Sequence, residues 1–427
     1  VPANVFVLGL DRLNLDTLSH LPQEEYAFHE LLHKDELIGI DDIDIPALLD
    51  RAEERLDSFA GPIDAVIGYW DFPVSSMVPI LCRRRGLPSA PLEAVVKCEH
   101  KYWSRLEQRK VIDEVPAFAL VDLEGDDELP PGLDLPVWLK PVKSVSSELA
   151  FHVGDRTELD EALGAIRAGI DKYGEPFEFV LDQIDLPPEI AAVGATACLA
   201  EEAAVGQQLT VEGYAQAGRA HVYGIIDSLT YPDSSSFLRY QYPSRLPEQV
   251  RARLVDISTR VIEHLGLEST TFNIEYFWDP DRDRIRLLEV NPRHSQSHAT
   301  MFEAVDGVSN HEVMVELALG RAPGERTGGA YGVAAKWYLR TFDDGVVSRS
   351  PSPEDVARVE RELEGVTVRV VAQQGGRLSE LAQQDSYSYE LAQVFIGARD
   401  EAELVEKYER AVALLPFEIT DGGGVRG

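Results

Sequence analysis

Arg286-Leu287-Leu288-Glu289-Val290-Asn291-Pro292-Arg293-His294-Ser295 decides how the rest of the chain is read. The apolar residues predict a strand, and Pro292 stops it because proline has no amide hydrogen for a ladder. Glu289 and Asn291 stand two apart, so an extended backbone turns both to one side. Their oxygens can then converge on one hard cation such as magnesium. Arg293 follows with a planar fork suited to a phosphate held by that cation. Upstream, Phe272-Asn273-Ile274-Glu275-Tyr276-Phe277-Trp278 predicts a second strand, and Asp279-Pro280-Asp281-Arg282-Asp283 a turn between the two. The pair forms a hairpin pattern that sets Glu275 opposite Glu289. A single acid at a strand end is usually solvated; Glu-x-Asn-Pro-Arg behind an acid on a paired strand points to metal and phosphate chemistry.

The chain has 427 residues, enough for two or three domains, and is 44% hydrophobic, as globular proteins are. Its formal net charge of −34 argues against a nucleic-acid partner, which needs a basic footprint, and suits solubility or life at high salt. No apolar run is long enough to span a bilayer, so no membrane partner is expected. Val1-Pro2-Ala3-Asn4 lacks the basic-then-apolar pattern of a signal peptide. Cys82, Cys98 and Cys198 are isolated, without metal or redox spacing, and are read as reduced buried thiols. A cytoplasmic location is the expectation.

Along the first ninety-odd residues, Val5–Leu10 and Asp64–Tyr69 read as buried strands. Apolar residues at Leu48, Leu49, Ala52, Leu56 and Phe59 form a helical stripe, and Val78–Arg85 a second helix. Strand, helix, strand, helix implies a parallel α/β sheet. No Gly-x-Gly-x-x-Gly follows the first strand, so no dinucleotide site is assigned. Asp71 lies at the C-terminal end of the second strand, where open α/β sheets bind ligands, or else caps a helix.

In the middle, Leu135-Pro136-Val137-Trp138-Leu139-Lys140-Pro141-Val142 is an apolar strand carrying a lysine. A buried ammonium needs a partner, and a nucleotide phosphate would serve. Lys143-Ser144-Val145-Ser146-Ser147-Glu148 is a polar loop whose amides and hydroxyls could fold over phosphates, or a plain turn. Thr157–Ile170 reads as a helix and Ala197–Ala200 as a strand leading into Glu201-Glu202-Ala203. Leu209–Tyr214 should pair with His221–Asp227 across Ala217-Gly218. Tyr231–Pro247 reads as a long irregular stretch, a lid or substrate loop. Val250, Leu254, Ile257, Val261 and Leu265 mark an amphipathic helix ended by Gly266.

Taken in order, a lysine-opened helix at Lys101, the Lys140-Pro141 strand, the Glu201-Glu202 hinge and Glu-x-Asn-Pro-Arg resemble the ATP-grasp superfamily over roughly residues 95–320. The resemblance implies a three-domain α/β and α+β architecture: residues 1–95 an N-terminal α/β domain, 96–325 the nucleotide-clamping core, and 326–427 a strand-rich domain covering the substrate site. It implies Lys101 and Lys140 as phosphate lysines, Ser146 and Ser147 in the phosphate loop, and Glu201, Glu202 and Ala203 at the adenine hinge. Gln208 stands at the ribose position, where the family usually has a glutamate. Glu275, Glu289 and Asn291 match the metal ligands, for magnesium or manganese, and Arg293 and Glu289 the catalytic charges. The C-terminal strands resemble the branch containing carbamoyl-phosphate synthetase, biotin carboxylase and L-amino acid ligases. His294, Ser295, Ser297 and Arg340 are then substrate contacts; Arg340 either holds a carboxylate or pairs with Asp343.

The implied activity is an ATP-dependent carboxylate–amine ligase forming an amide through an acylphosphate, on small-molecule carboxylates and amines. Alternatives are a biotin-carboxylase-like enzyme and a non-catalytic nucleotide-binding protein. The reading allows a homodimer.

Overall fold

Six apolar residues in a row, Val5 to Leu10, can be buried on both faces only in a covered parallel sheet. In the computed structural model, which describes residues 1–420 apart from 126–127, 146–147, 233 and 382–387, they form β1 (Ala3–Leu10). After α1 (Arg12–Leu18) comes β2 (Tyr26–His33), then α2 (Ile45–Ser58), β3 (Ala65–Ile67) and α3 (Val74–Arg85). The strands run parallel in the order β2-β1-β3. Sequence pattern missed β2, because His29, Glu30 and His33 break its apolar run; β1 lends it the ladder. Asp44 caps α2 by accepting from the Ala47 amide at 3.0 Å, and Leu48, Leu49, Ala52 and Leu56 turn to the core. Gly86 ends α3 in the left-handed region, at a φ of 67°, where a Cβ would be strained.

Two helices, α4 (Leu92–Glu99) and α5 (Lys101–Gln108), lead into β4 (Phe118–Val121), β5 (Val137–Pro141) and β6 (Phe151–Val153). Then come α6 (Arg156–Gly169), α7 (Asp171–Leu181), α8 (Pro188–Val193) and β7 (Cys198–Glu202). The strands form an antiparallel sheet in the order β4-β7-β5-β6. Leu159, Ala162, Leu163 and Ile166 of α6 cover one face. Cys82, Cys98 and Cys198 are free and buried.

Next, β8 (Gln207–Gln216) and β9 (Arg219–Thr230) pair across Ala217-Gly218. Both turn residues have positive φ, 53° and 72°, which matches the twist of a two-residue hairpin. The stretch read from sequence as irregular contains β10 (Phe237–Tyr242). Serines before it and Pro243 and Pro247 after it hid a β-prone run, which neighbours on both sides hold in place. After α9 (Glu248–Leu265), β11 (Thr270–Asp279) and β12 (Arg284–Asn291) form the expected hairpin, with Asp279 accepting from the amides of Asp281 and Arg282 in its turn. Val250, Leu254, Ile257, Val261 and Leu265 of α9 pack on Leu209, Val211 and Ile274; burying each such side chain contributes about 1.5–3 kcal/mol.

Helices α10 (Ala299–Asp306) and α11 (Asn310–Ala318) precede β13 (Val333–Thr341), β14 (Val346–Arg349), α12 (Pro353–Glu362), β15 (Val366–Val370), β16 (Tyr389–Ala398), α13 (Glu401–Leu414) and β17 (Glu418–Thr420). Among the described residues one long antiparallel sheet runs β12-β11-β8-β9-β10-β13-β16-β15, so β10 carries the sheet across residue 325 into the C-terminal strands. No helix among the described residues is long and apolar enough to cross a membrane. The fold is mixed α/β, a parallel N-terminal sheet followed by antiparallel sheets, and the ends of β3, β5, β7 and β12 meet at one cleft.

Candidate active site

Lys101 is the first residue of α5, whose end is capped by His100 accepting from the Trp103 amide. Its Nζ lies 2.9 Å from Ser144 O and 2.9 Å from Glu289 Oε1. Lys140, at the end of β5, places Nζ 2.6 Å from Glu201 Oε2. One helical turn beyond Lys101, Arg105 grips the same carboxylate through Nε at 2.6 Å and Nη2 at 3.1 Å. Arg105 also donates to the carbonyls of Leu287 and Leu288 at 3.1 and 2.5 Å, tying α5 and β7 to β12. Arg105, Lys140 and Glu201 are all buried. Burial alone would raise Glu201, yet Arg105 and Lys140 hold it at about 2. Lys101, Arg105, Lys140, Glu201 and Glu289 line one small cavity of about 10 Å³.

Across the hairpin Glu275 is registered opposite Glu289, and Asn273 opposite Asn291. Glu275 is pushed up to about 7, by burial first and then by the charge of Glu289. Its hydrogen-bond partner is Gln208, whose Nε2 donates at 3.0 Å. Burial works to raise Glu289 too, but the ammonium groups of Lys101 and Lys140 hold it below the ordinary carboxylate range. Asn291 donates through Nδ2 to Asn273 Oδ1 at 2.9 Å, which leaves its own carbonyl oxygen to accept or ligate. Two facing carboxylates with that amide fit a magnesium ion, which takes few protein ligands and fills its other positions with water and phosphate oxygens. Among the described residues no set of three or more His, Cys, Asp or Glu side chains forms a self-sufficient metal cage.

Arg293 is held by Asp71, from the loop after β3: Nε and Nη2 reach Asp71 Oδ1 at 2.8 and 2.5 Å. Its Nη1 donates to His294 O at 3.1 Å. Lys143 is buried between the rings of Phe72 and Phe177, 4.4 Å from each centroid, and paired with Glu99 at 2.8 Å. Glu99 also accepts from Ser75 and Ser76 of α3, so the start of the polar loop is pinned to the N-terminal domain.

The residues after β12 point elsewhere. His294 is fully buried. Its Nδ1 lies 3.0 Å from Thr271 Oγ1, its Nε2 2.9 Å from His311 Nδ1, and His311 Nε2 3.0 Å from Asn14 Oδ1. Asn14 spends its amide nitrogen on Asp11 Oδ1, so its oxygen accepts from His311 Nε2; both neutral rings therefore carry their proton on Nε2, and the Thr271 hydroxyl donates to His294 Nδ1. Burial lowers both imidazoles, and they stay neutral. Ser295 donates its amide to Glu212 at 3.0 Å, and Glu212, itself buried, also accepts from His298, Asn310 and Tyr223. Ser297 Oγ accepts from Lys336 at 3.1 Å. Arg340 donates to Phe237 O at 3.2 Å and lies 3.5 Å from Glu390.

The fold therefore gathers Lys101, Lys140, Gln208, Glu275, Glu289, Asn291 and Arg293. His294 turns inward, Ser295 is held through its backbone by Glu212 and Asn310, Ser297 meets Lys336 of β13, and Arg340 lies on β13 itself. Glu202 pairs with Arg284 at 2.5 Å, and the Ala203 amide donates to Pro136 O at 3.4 Å. Ser146 and Ser147 lie outside the described residues. Sequence reasoning missed Arg105, Glu212, Lys143 and Lys336. Arg105 had a signal, four residues from Lys101 on one helix face; the others meet partners that are remote in sequence.

Residues 133–301 match the family model of the ATP-grasp domain. The carbamoyl phosphate synthase large chain of Arthrobacter sp. (strain FB24) is 35% identical over 75 residues, 18% of this chain and only 7% of that relative's length. Across 98% of this chain and 99% of the other, the fold is similar to that of an L-amino acid ligase from Bacillus licheniformis, with a TM-score of 0.72 at 17% identity. A biotin carboxylase from Campylobacter jejuni, solved as a β,γ-ATP complex, gives 0.66 at 15% identity over 98% and 92% of the two chains. An N5-carboxyaminoimidazole ribonucleotide synthetase from Thermotoga maritima gives 0.64 at 16% identity over 98% and 100%.

Proposed function

From the match of residues 133–301 to the ATP-grasp domain, we propose that the chain is an ATP-dependent carboxylate–amine ligase acting on amino acids or similar small carboxylates. The observation that carries the reading is the pairing of Glu275 with Glu289 at a hairpin end, with Lys101 beside Glu289 and Arg293 within the same cleft. The fold likeness to an L-amino acid ligase over nearly the whole of both chains supports it.

ATP enters as a substrate. Its purine lies along the end of β7 at Glu202 and Ala203, with Gln208 toward the ribose. Lys101 and Lys140, held in the free protein by Glu289 and Glu201, exchange part of those pairs for phosphate oxygens. The substrate carboxylate attacks the γ-phosphorus, the bond to the β,γ-bridging oxygen breaks, and ADP leaves. The amine then attacks the carbonyl carbon of the acylphosphate, phosphate departs with the C–O electron pair, and the nitrogen gives up a proton. Magnesium or manganese, held by Glu275, Glu289 and Asn291, would withdraw charge from the β- and γ-phosphates. The chain needs no covalent nucleophile. Arg293 neutralises charge on the phosphate in transfer, and the acylphosphate must be shielded from water until the amine attacks.

The test is ADP release with magnesium and paired carboxylate and amine substrates, screened over the twenty common L-amino acids. Release should require both partners, and Glu289→Gln should lower it about 100-fold or more, the loss typical of a removed electrostatic stabiliser. Full-rate release by that variant would move the metal site elsewhere; release independent of any amine would remove the ligase reading.

A further inference from the structure

Asp71 comes from the N-terminal sheet, yet its carboxylate lies against the arginine that follows the metal strand. Both contacts from Arg293, Nε at 2.8 Å and Nη2 at 2.5 Å, converge on the same oxygen, Oδ1. Among the described residues no donor meets Oδ2, although a carboxylate ordinarily accepts on both oxygens. The Asp71 side chain is 34% exposed, so Oδ2 is open to a solute. Arg293 has five N–H groups, and the two to Asp71 and the one to His294 O leave two unassigned. It can therefore meet an incoming anion without releasing Asp71.

We infer that Asp71 selects the substrate class: Oδ1 fixes Arg293, and Oδ2 receives the ammonium group of an α-amino acid whose carboxylate faces the guanidinium. This rests on the ligase reading above. A guanidinium beside a carboxylate is the complement of a zwitterion, whose ammonium and carboxylate are separated by a single carbon. Glu275 and Glu289 already face one another for the cation, so Asp71 is the acid at this end of the cleft left for an ammonium. An acid lacking the amino group would displace water from Oδ2 and offer no donor in return, and such an unpaired group is what lets a polar site reject an analogue.

Asp71→Asn tests this with the charge removed and the size kept. The asparagine oxygen still accepts from Arg293, which turns its NH₂ toward the position of the ammonium. Wild type and variant are titrated calorimetrically, with magnesium and a non-hydrolysable ATP analogue, against each of the twenty common L-amino acids and its deaminated acid. The preferred amino acid should bind the variant at least tenfold more weakly, while its deaminated partner is unchanged or tighter. Asp71→Ser, which cannot reach Arg293 in the same way, should weaken both. Equal weakening of amino acid and deaminated acid in Asp71→Asn would overturn the proposal and leave Asp71 as a positioning residue for Arg293. Failure of every amino acid to bind wild type would also overturn it. Selective amino-acid binding without ADP release under any pairing would instead remove the ligase reading and leave Asp71 in its role.

Discussion

Replacing Glu275 with glutamine should stabilise the metal-free protein at pH 8 and much less at pH 5. Half-buried opposite Glu289, Glu275 keeps its proton up to about pH 7, whereas an ordinary glutamate loses it near 4.5. Between those values the folded chain binds more protons than the unfolded chain, so stability falls as pH rises through that window. At about 1.4 kcal/mol per pH unit, the gap between 4.5 and about 7 comes to about 3 kcal/mol. Glutamine escapes that cost, since it carries no charge and still accepts from Gln208. Urea unfolding of chelator-treated protein at pH 5 and pH 8 measures both arms. Magnesium with ADP should then reverse the order at pH 8, because a cation between Glu275 and Glu289 turns the repulsion into binding. An equal gain at both pH values, or a loss at pH 8, would refute the electrostatic account of the pair.

Lys140→Ala strips buried Glu201 of one of its two cations; it should cost about 3 kcal/mol of stability, read by the same unfolding assay, as well as nucleotide affinity. Lys336 is buried with one hydroxyl partner, Ser297, and burial lowers it from 10.5 to about 8, so at pH 7 the folded state carries the full cost of the charge. Lys336→Met should raise stability at pH 7 by up to about 3 kcal/mol, with the gain shrinking as pH climbs from 8 toward 10.5, and thermal unfolding at pH 7 and pH 10 decides it. Gln208→Glu sets a third carboxylate against Glu275 and should destabilise the metal-free form while steepening the magnesium dependence of ADP binding, seen by calorimetry. His311→Phe leaves His294 Nε2 and Asn14 Oδ1 without partners and should cost about 2–3 kcal/mol of unfolding free energy.

Sequence by itself determined what depends on neighbours along the chain. The i, i+2 spacing of Glu289 and Asn291, Pro292 as a stop and the Asp-rich turn produced the β11–β12 hairpin with Glu275 against Glu289. The helix read over Val78–Arg85 is α3, which begins earlier, at Val74, and the stripe ended by Gly266 is α9; both end at a glycine because the left-handed cap is a local preference of that residue. The order of lysines, hinge acids and Glu-x-Asn-Pro-Arg carried the likeness to the ATP-grasp domain that the family match then bore out.

Tertiary structure alone decided where charge is spent. Arg293 meets Asp71 222 residues away, and Glu201 turns a buried side chain onto Arg105 and Lys140. Buried charges must find opposite charges and donors wherever the fold brings them, and no periodicity along the chain records that pairing. His294 is the sharpest instance. In sequence it stands next to Arg293 in a polar cluster, yet the chain bends at Pro292 and Arg293 beyond the end of β12, and the two side chains part. Arg293 meets Asp71, while His294 enters the interior, where the imidazole of His311 receives it.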